Sequence, residues 1–221
     1  MLKIILMMSL ISTTSARDIG KVIFVKGKVT NTVGKIKRLV KKNFIIQDKS
    51  TFETFKKALV VISLSDGSKI KLNELSKLAI SVPKDKNSPT KTGLYKGSSF
   101  FQVIKNKMIK KDKFIVKTRQ ASLGVRGTQF FVSYGKKVKS KDSWMCVNKG
   151  LVSVKPKSSK KEVLVKAGEG VHIKDKNNVT PPKSLPWTKN LNWGFDRRKG
   201  KLDNTVSIEE AYGDILGQDY D

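Results

Sequence analysis

The sequence predicts an all-β protein, an antiparallel β-sandwich or β-roll of short strands, followed by a mostly irregular C-terminal extension. Short apolar segments with alternating polarity recur along the 221 residues, separated by Gly and Lys pairs, and none has the length of a typical helix. The stretch Thr51–Lys57 fits either one helical turn or an irregular strand. The predicted strands are Val22–Val25, Leu59–Leu64, Lys69–Leu72, Lys113–Lys117, Phe130–Tyr134, Leu151–Val154, Val163–Val165 and Val171–Ile173.

A hairpin is the clearest local signal. Asp66 and Gly67 stand between two alternating runs, and an Asp-Gly pair supplies the positive φ angles that a two-residue hairpin turn needs. The alternation in the second strand predicts that its apolar residues face the core and its lysines face water, namely Ile70 and Leu72 against Lys69 and Lys71.

Arg126 lies in a segment, Val125-Arg-Gly-Thr128, between two further alternating strands. Gly124 and Gly127 bracket it and predict a tight bend or a close approach of two backbones. Arg126 and Thr128 are candidate binding residues. An Arg in such a bend can instead pair with backbone carbonyls or a carboxylate and hold the loop, so both interpretations stay open.

The N-terminus has the order of a signal peptide. Lys3 precedes the apolar run Ile4–Ile11, and small residues lead to a predicted cleavage after Ala16, so residues 1–16 would be removed. The alternative is a buried first strand or helix. No apolar stretch reaches the roughly 20 residues that a spanning helix needs.

The β domain is predicted to end near residue 174, because residues 175–200 are rich in turn formers and prolines. Trp187 and Trp193 predict either a strap that covers a sheet edge or a docking peptide. Residues 201–221 hold one Lys and six acidic residues, a net charge of −5. This acidic tail would either contact the basic body of the protein or stay disordered in water and make no such contact.

Charge is the strongest compositional feature, with 46 Lys and Arg against 18 Asp and Glu, a net charge of +28 and a pI near 10.2. Only six of the cations are Arg, which disfavours sequence-specific reading of nucleic acid. The excess of basic over acidic residues has three possible explanations: a solvated surface, adhesion to an anionic envelope polymer, or non-specific nucleic-acid binding. Alternation predicts one basic sheet face formed by Lys69, Lys71, Lys113, Lys117, Lys155 and Lys157, of which the first four are candidate binding residues.

The sequence has few of the residues and motifs that catalysis or metal binding needs. One His and one Cys cannot form a zinc finger or an intrachain disulfide, and Gly-x-Ser-x-Gly and phosphate-loop motifs are absent from the sequence. His172 lies on the predicted strand Val171–Ile173. Cys146 alternates with Trp144, and a buried, unpaired thiol is the expectation for Cys146. We therefore predict no enzyme activity, no metal and no cofactor.

An ordered set of motifs resembles the FecR-type domain, an extracytoplasmic module named after the iron-dicitrate regulator. The resemblance spans roughly residues 20–173. It implies an all-β interaction module outside the cytoplasmic membrane, whereas the cytosolic sigma-factor-binding segment of the founding regulator has no counterpart. The matching segments are Gly20-Lys-Val22, Gly27-Lys-Val29, Leu64-Ser-Asp-Gly-Ser68, Leu94-Tyr-Lys-Gly97, Val125-Arg-Gly-Thr-Gln-Phe130, Gly150-Leu-Val152 and Ala167-Gly-Glu169.

The sequence thus predicts an exported, non-enzymatic binding or signalling module, periplasmic or secreted from a Gram-negative-type envelope. Its expected partner is another envelope protein or an anionic envelope polymer. The alternative is a protein whose charge alone binds polyanions such as lipopolysaccharide, cell-wall polymer or extracellular nucleic acid.

Overall fold

A computed structural model describes residues 17–85, 88–105, 113–135 and 142–204. The predicted signal peptide (1–16) and all but the first four residues of the predicted acidic tail lie outside the described residues. Within these ranges the chain forms strands β1 Asp18–Lys26, β2 Val29–Val33, β3 Ile36–Leu39, β4 Ile45–Gln47, β5 Ser50–Thr54, β6 Leu59–Leu64, β7 Lys69–Leu72, β8 Lys77–Ser81, β9 Thr90–Gln102, β10 Phe114–Lys117, β11 Ala121–Val125, β12 Gln129–Tyr134, β13 Ser143–Lys149, β14 Leu151–Pro156, β15 Val163–Lys166, β16 Glu169–Ile173 and β17 Lys183–Ser184, and two short 3-10 turns, Pro186–Asn190 and Arg197–Lys199.

The strands form two sheets, which confirms the predicted all-β class. Sheet A has the order β4-β1-β6-β7-β9-β12-β13-β16-β17 and is antiparallel throughout. Sheet B has the order β3-β2-β5-β8-β9-β10-β11-β14-β15, in which only β9 and β10 run parallel. The undecided stretch at Thr51–Lys57 begins in strand β5 and has no helical turn.

Strand β9 belongs to both sheets. Its first half pairs with β8 and β10 in sheet B, and its second half pairs with β7 and β12 in sheet A. The change of sheet occurs at Gly97, whose φ is +78°, and a Cβ there would collide with Ser76. Glycine is therefore needed where this 13-residue strand bends from one layer into the other.

A single apolar core fills the space between the sheets. Phe101 of sheet A stacks on Phe130 with ring centroids 4.9 Å apart, and it meets Phe114 of sheet B edge-on at 5.9 Å. All three side chains are fully buried. Complete burial stabilises the fold by about 1.5–3 kcal/mol for a side chain of this size, so this aromatic trio contributes strongly to joining the layers.

The β6–β7 hairpin is present where it was predicted, but its turn differs. The Leu64 N–H donates to the Ser68 carbonyl at 2.8 Å, so three residues rather than two lie in the connection. Gly67 alone takes a positive φ, +84°, while the Asp66 carboxylate accepts the Ser68 N–H at 2.9 Å. This is a type I turn followed by a glycine bulge, which needs one left-handed residue instead of two.

Candidate binding surface

The outer faces of the two sheets have different environments. A C-terminal strap, residues 185–204, lies across the outer face of sheet A and forms a second apolar cluster with it. The outer face of sheet B has no such cover among the described residues, and its strands alternate between buried and more exposed positions. The outer face of sheet B is therefore open to a partner, whereas the strap covers that of sheet A.

The strap was expected along a sheet edge, and most of it lies on a face instead. The two residues just before the strap form strand β17 at the edge of β16, and the two indoles of the strap pack on sheet A. Trp193 meets Phe100 edge-on at 5.2 Å, and Trp187 meets Trp144 at 5.8 Å. The outer face of sheet A is aromatic, and burying it removes a large apolar patch from water.

Lys71 was predicted to face water, and this prediction is wrong. Its side chain does point away from the sandwich interior, as alternation requires, but the strap covers that side and leaves Lys71 fully buried. The ammonium group donates to the Asn192 carbonyl at 2.5 Å and to the Leu202 carbonyl at 3.3 Å. It also lies 4.3 Å from the centroid of the Phe100 ring, a cation–π contact.

Burial lowers the pKa of Lys71 to about 8, because the charged form loses water that two carbonyls only partly replace. The nearby Asp203 carboxylate opposes this shift. Asp203 also pairs with Lys26 at 2.9 Å, so the start of the acidic tail contacts the basic body. Lys71 thus joins the strap to the sheet and is not available to an external anion.

The other candidate lysines do not form one basic face. Lys69 is half-buried beside the strap on sheet A, where Phe195 and Arg198 line the same cleft. Lys113 is half-buried and pairs with Asp66 at 3.5 Å, at the tip of the β6–β7 hairpin. Lys117 is exposed on the outer face of sheet B, as are Lys155 and, just after β14, Lys157. The prediction of a single basic face is wrong because alternating strands from two sheets send their lysines to opposite sides of the sandwich.

The Val-Arg-Gly-Thr segment makes a turn at Gly127 and not at Gly124. Gly127 has φ +64°, and a Cβ there would lie 2.5 Å from the Lys105 Cβ, so the predicted close approach is real at this position. Gly124 lies inside strand β11, paired with Ile115 on one side and Ser153 on the other. The prediction of a bend at Gly124 is wrong because the regular ladder continues to Val125.

Thr128 and Arg126 have different environments. Thr128 is buried, and its hydroxyl lies 3.0 Å from the Leu151 carbonyl, to which it donates. It therefore fixes the turn rather than facing a partner. Arg126 is half-buried and lines an open groove of about 450 Å³ together with Leu151, Leu164 and Glu162. Because strand β15 carries Leu164 at the free edge of sheet B, this groove, here named the Arg126 groove, combines apolar side chains, an edge strand and charge.

A second groove on sheet B was not predicted. It has a volume of about 610 Å³ and lies around Tyr95, where strands β8, β9 and β10 meet, and Lys117 is the one predicted binding residue in it. Tyr95 is 60% exposed, an unusual position for a large aromatic side chain on a strand. Local sequence patterns do not establish the register between β8, β9 and β10, so they could not bring these residues together.

The remaining candidates are inside the protein. Cys146 is a free, buried thiol below the strap, as expected, and burial raises its pKa. His172 is also buried, with Nε2 2.9 Å from the Asp142 carboxylate. No group of three or more His, Cys, Asp or Glu side chains in the described ranges could hold a metal ion. Across the same ranges no helix is long and apolar enough to cross a membrane.

These features define an all-β module with open surfaces suited to binding. Residues 50–153, from strand β5 into strand β14, match the model of the family described as FecR protein. This match covers a shorter range than the one suggested by the motifs of the sequence. None of the curated proteins compared with the chain matches it.

Two solved structures of candidate anti-sigma factors from Parabacteroides distasonis are similar to the chain. The first has 20% sequence identity and a TM-score of 0.49 over 61% of this chain, and the chain spans 59% of that protein. The second has 17% identity and a TM-score of 0.51 over 75% of this chain and 89% of that protein. At these identities the likeness concerns the fold alone.

Proposed function

We propose that the protein is an exported, non-catalytic FecR-type signalling module that binds an extended segment of another envelope protein at the Arg126 groove. The observation that carries the proposal is the contrast between the two sheets. The strap closes the outer face of sheet A, whereas no described segment covers the β15 edge of sheet B. The FecR domain and the fold it shares with a candidate anti-sigma factor support a role in signalling.

Strand β15 is suited to pairing with a partner strand. Among the described strands it pairs only with β14, so no described strand occupies the other side of its backbone, where the Lys166 N–H donates to the Glu169 carboxylate at 2.8 Å. Leu164 is 52% exposed and Leu151 43% exposed beside it, which gives a partner apolar side chains to cover. The other edge of sheet B, β3, carries Lys37 and Arg38 among its four residues, and such charges protect an edge from pairing.

Arg126 adds polar specificity to this edge. A guanidinium group presents a planar set of donors, which suits carbonyl or carboxylate groups on an incoming strand. Its position one residue before the strained turn at Gly127 keeps it next to Leu151, across the β11–β14 pair. The groove thus has a fixed donor group beside an apolar edge, the usual combination at a protein interface.

Site-specific crosslinking in cells tests this interface. A photoreactive residue in place of Leu164 should crosslink to one discrete envelope protein, and Arg126→Gln should reduce that product. A photoreactive residue in place of Ile36 is the matched control, because Ile36 is 58% exposed on the opposite edge strand of sheet B. Equal products from both edges would contradict the proposal. If the same crosslinking, repeated on envelope fractions, fails at moderate salt, charge-driven polyanion binding is favoured instead.

Export is tested separately by the mass of the mature chain. Strand β1 begins at Asp18, one residue after the proposed mature N-terminus, and Arg17 donates to the Val82 carbonyl at 2.6 Å. The proposal expects a mature chain that starts at Arg17. Protein recovered from the envelope with Met1 intact would contradict it.

A further inference from the structure

The groove around Tyr95, here named the Tyr95 groove, is a built depression on the open face of sheet B. Its floor is formed where Ala79, Gly93 and Lys117 lie side by side on neighbouring strands β8, β9 and β10. The first two have little or no side chain, so the floor is low in the middle and bordered by longer residues. The resulting volume of about 610 Å³ is in the usual range of ligand sites.

Tyr95 lies along this floor. A Cβ at Gly93 would be 3.3 Å from the Tyr95 Cζ and 3.4 Å from its hydroxyl oxygen, so the ring occupies the space that the glycine leaves free. The side chain is nevertheless 60% exposed. An aromatic ring held in place by the sheet and still open to solvent offers a stacking surface at little cost in side-chain entropy.

The rim of the groove is positively charged. Of the described residues that line it, none is acidic. In the described part of the chain, no ion pair involves any of its cations. Because cations held close together without counter-charges repel one another, an anion bound between them would relieve that repulsion. The cations are Lys49, Lys91, Lys117, Arg119 and Lys157.

The geometry points to a binding site for an anionic glycan, a chain of sugar rings that carry carboxylate, phosphate or sulfate groups. One ring would stack on Tyr95, and the pendant anions would meet the surrounding ammonium groups. Proteins that bind single-stranded nucleic acid stack successive bases on several aromatic side chains and use Arg extensively. This groove has one exposed aromatic residue and one Arg among its five cations, which favours the glycan.

This site is separate from the interface proposed above. The Tyr95 groove lies on strands β8, β9 and β10, whereas the Arg126 groove lies on β11, β14 and β15, and no residue lines both. A protein with both sites could hold an envelope polymer on one part of sheet B and a protein partner at its edge. Each site can therefore fail its own test without affecting the other.

Binding of a fluorescently labelled heparin oligosaccharide to the purified full chain tests the site, with single-stranded oligothymidylate as the second probe. Tyr95→Ala removes the stacking surface without changing charge. A groove variant combines Lys91→Gln, Lys117→Gln and Lys157→Gln. The matched control removes the same charge elsewhere, with Lys35→Gln, Lys41→Gln and Lys42→Gln, all at exposed positions in the first third of the chain. Denaturant midpoints establish that each variant is folded.

At about 0.1 M salt we expect Tyr95→Ala and the groove variant each to weaken heparin binding about tenfold, and the control to change it less than about twofold. The salt dependence of binding should also become shallower only in the groove variant. Equal losses in the groove and control variants would overturn the proposal in favour of net charge. Unchanged affinity in Tyr95→Ala would also overturn it, as would tighter binding of oligothymidylate through the same residues.

Discussion

Replacing Lys71 with Met tests how the strap is attached, through the pH dependence of stability. Met has a similar length and can occupy the same buried position, but it carries no charge. The pKa of Lys71 is about 8 in the folded protein and near its ordinary value of 10.5 in the unfolded chain. Between these two values the unfolded chain binds more protons, so the free energy of unfolding of the wild type rises with pH across this range.

The size of the effect follows from the two pKa values. A difference of this size corresponds to about 3 kcal/mol of charge-burial penalty, which is present below pH 8 and relieved by pH 10.5. Lys71→Met has no such penalty at any pH. The stability of the wild type relative to the variant should therefore increase by about 3 kcal/mol between pH 7.5 and 10.5.

Urea unfolding of both proteins at several pH values measures this difference. Tryptophan fluorescence is a suitable signal, because Trp187 and Trp193 lie in the strap and Trp144 lies beneath it. Contributions to the pH dependence from elsewhere in the chain are common to both proteins and cancel in the comparison. A stability difference that stays constant from pH 7.5 to 10.5 would refute the buried ammonium group and its low pKa.

The remaining predictions concern the turn, the strap and the thiol. Gly127→Val should lower the free energy of unfolding by about 1–3 kcal/mol, measured by urea denaturation, because it combines a positive φ with a collision against Lys105. Gly168→Val is the control, since Gly168 has φ +83° but no atom within 4 Å of an added Cβ, and an equal loss in both would show that the collision is unimportant. Trp193→Ala should destabilise the protein by about 3 kcal/mol and increase dye binding to the uncovered face of sheet A; unchanged dye binding would mean that the strap does not depend on this indole. Cys146 should resist alkylation in the native protein and react in denaturant, since it is buried and its pKa is raised. Mass spectrometry measures the alkylation, and modification of Cys146 in the native protein would contradict the prediction.

Local patterns in the sequence located eight of the seventeen described strands, among them the two strands of the β6–β7 hairpin. Leu59–Leu64 and Lys69–Leu72 have the predicted bounds, because each is a short alternating run bordered by turn residues. The number of residues in the turn was wrong, since Asp66 bonds Ser68 and so permits a three-residue connection. Strand β9 was not predicted at all, because its two glycine and two lysine positions within 13 residues hide its alternation.

The position of Lys71 shows where pattern reasoning ends. Alternation assigned its side chain to the correct side of sheet A, but it could not show what covers that side. The covering carbonyls belong to Asn192 and Leu202, more than 120 residues further along the chain. The Tyr95 groove was missed for a similar reason, since its residues meet only through the pairing of three strands.

The sharing of β9 between the sheets has a consequence for how the protein becomes folded. The strands before β9 supply half of its partners, β7 and β8, and the strands after it supply the other half, β10 and β12. Neither layer can be completed until most of the chain is available, and such long-range pairing makes folding slow. For the exported protein proposed here, slow folding is useful, because a chain that stays unfolded during synthesis is the form that a secretion channel can accept.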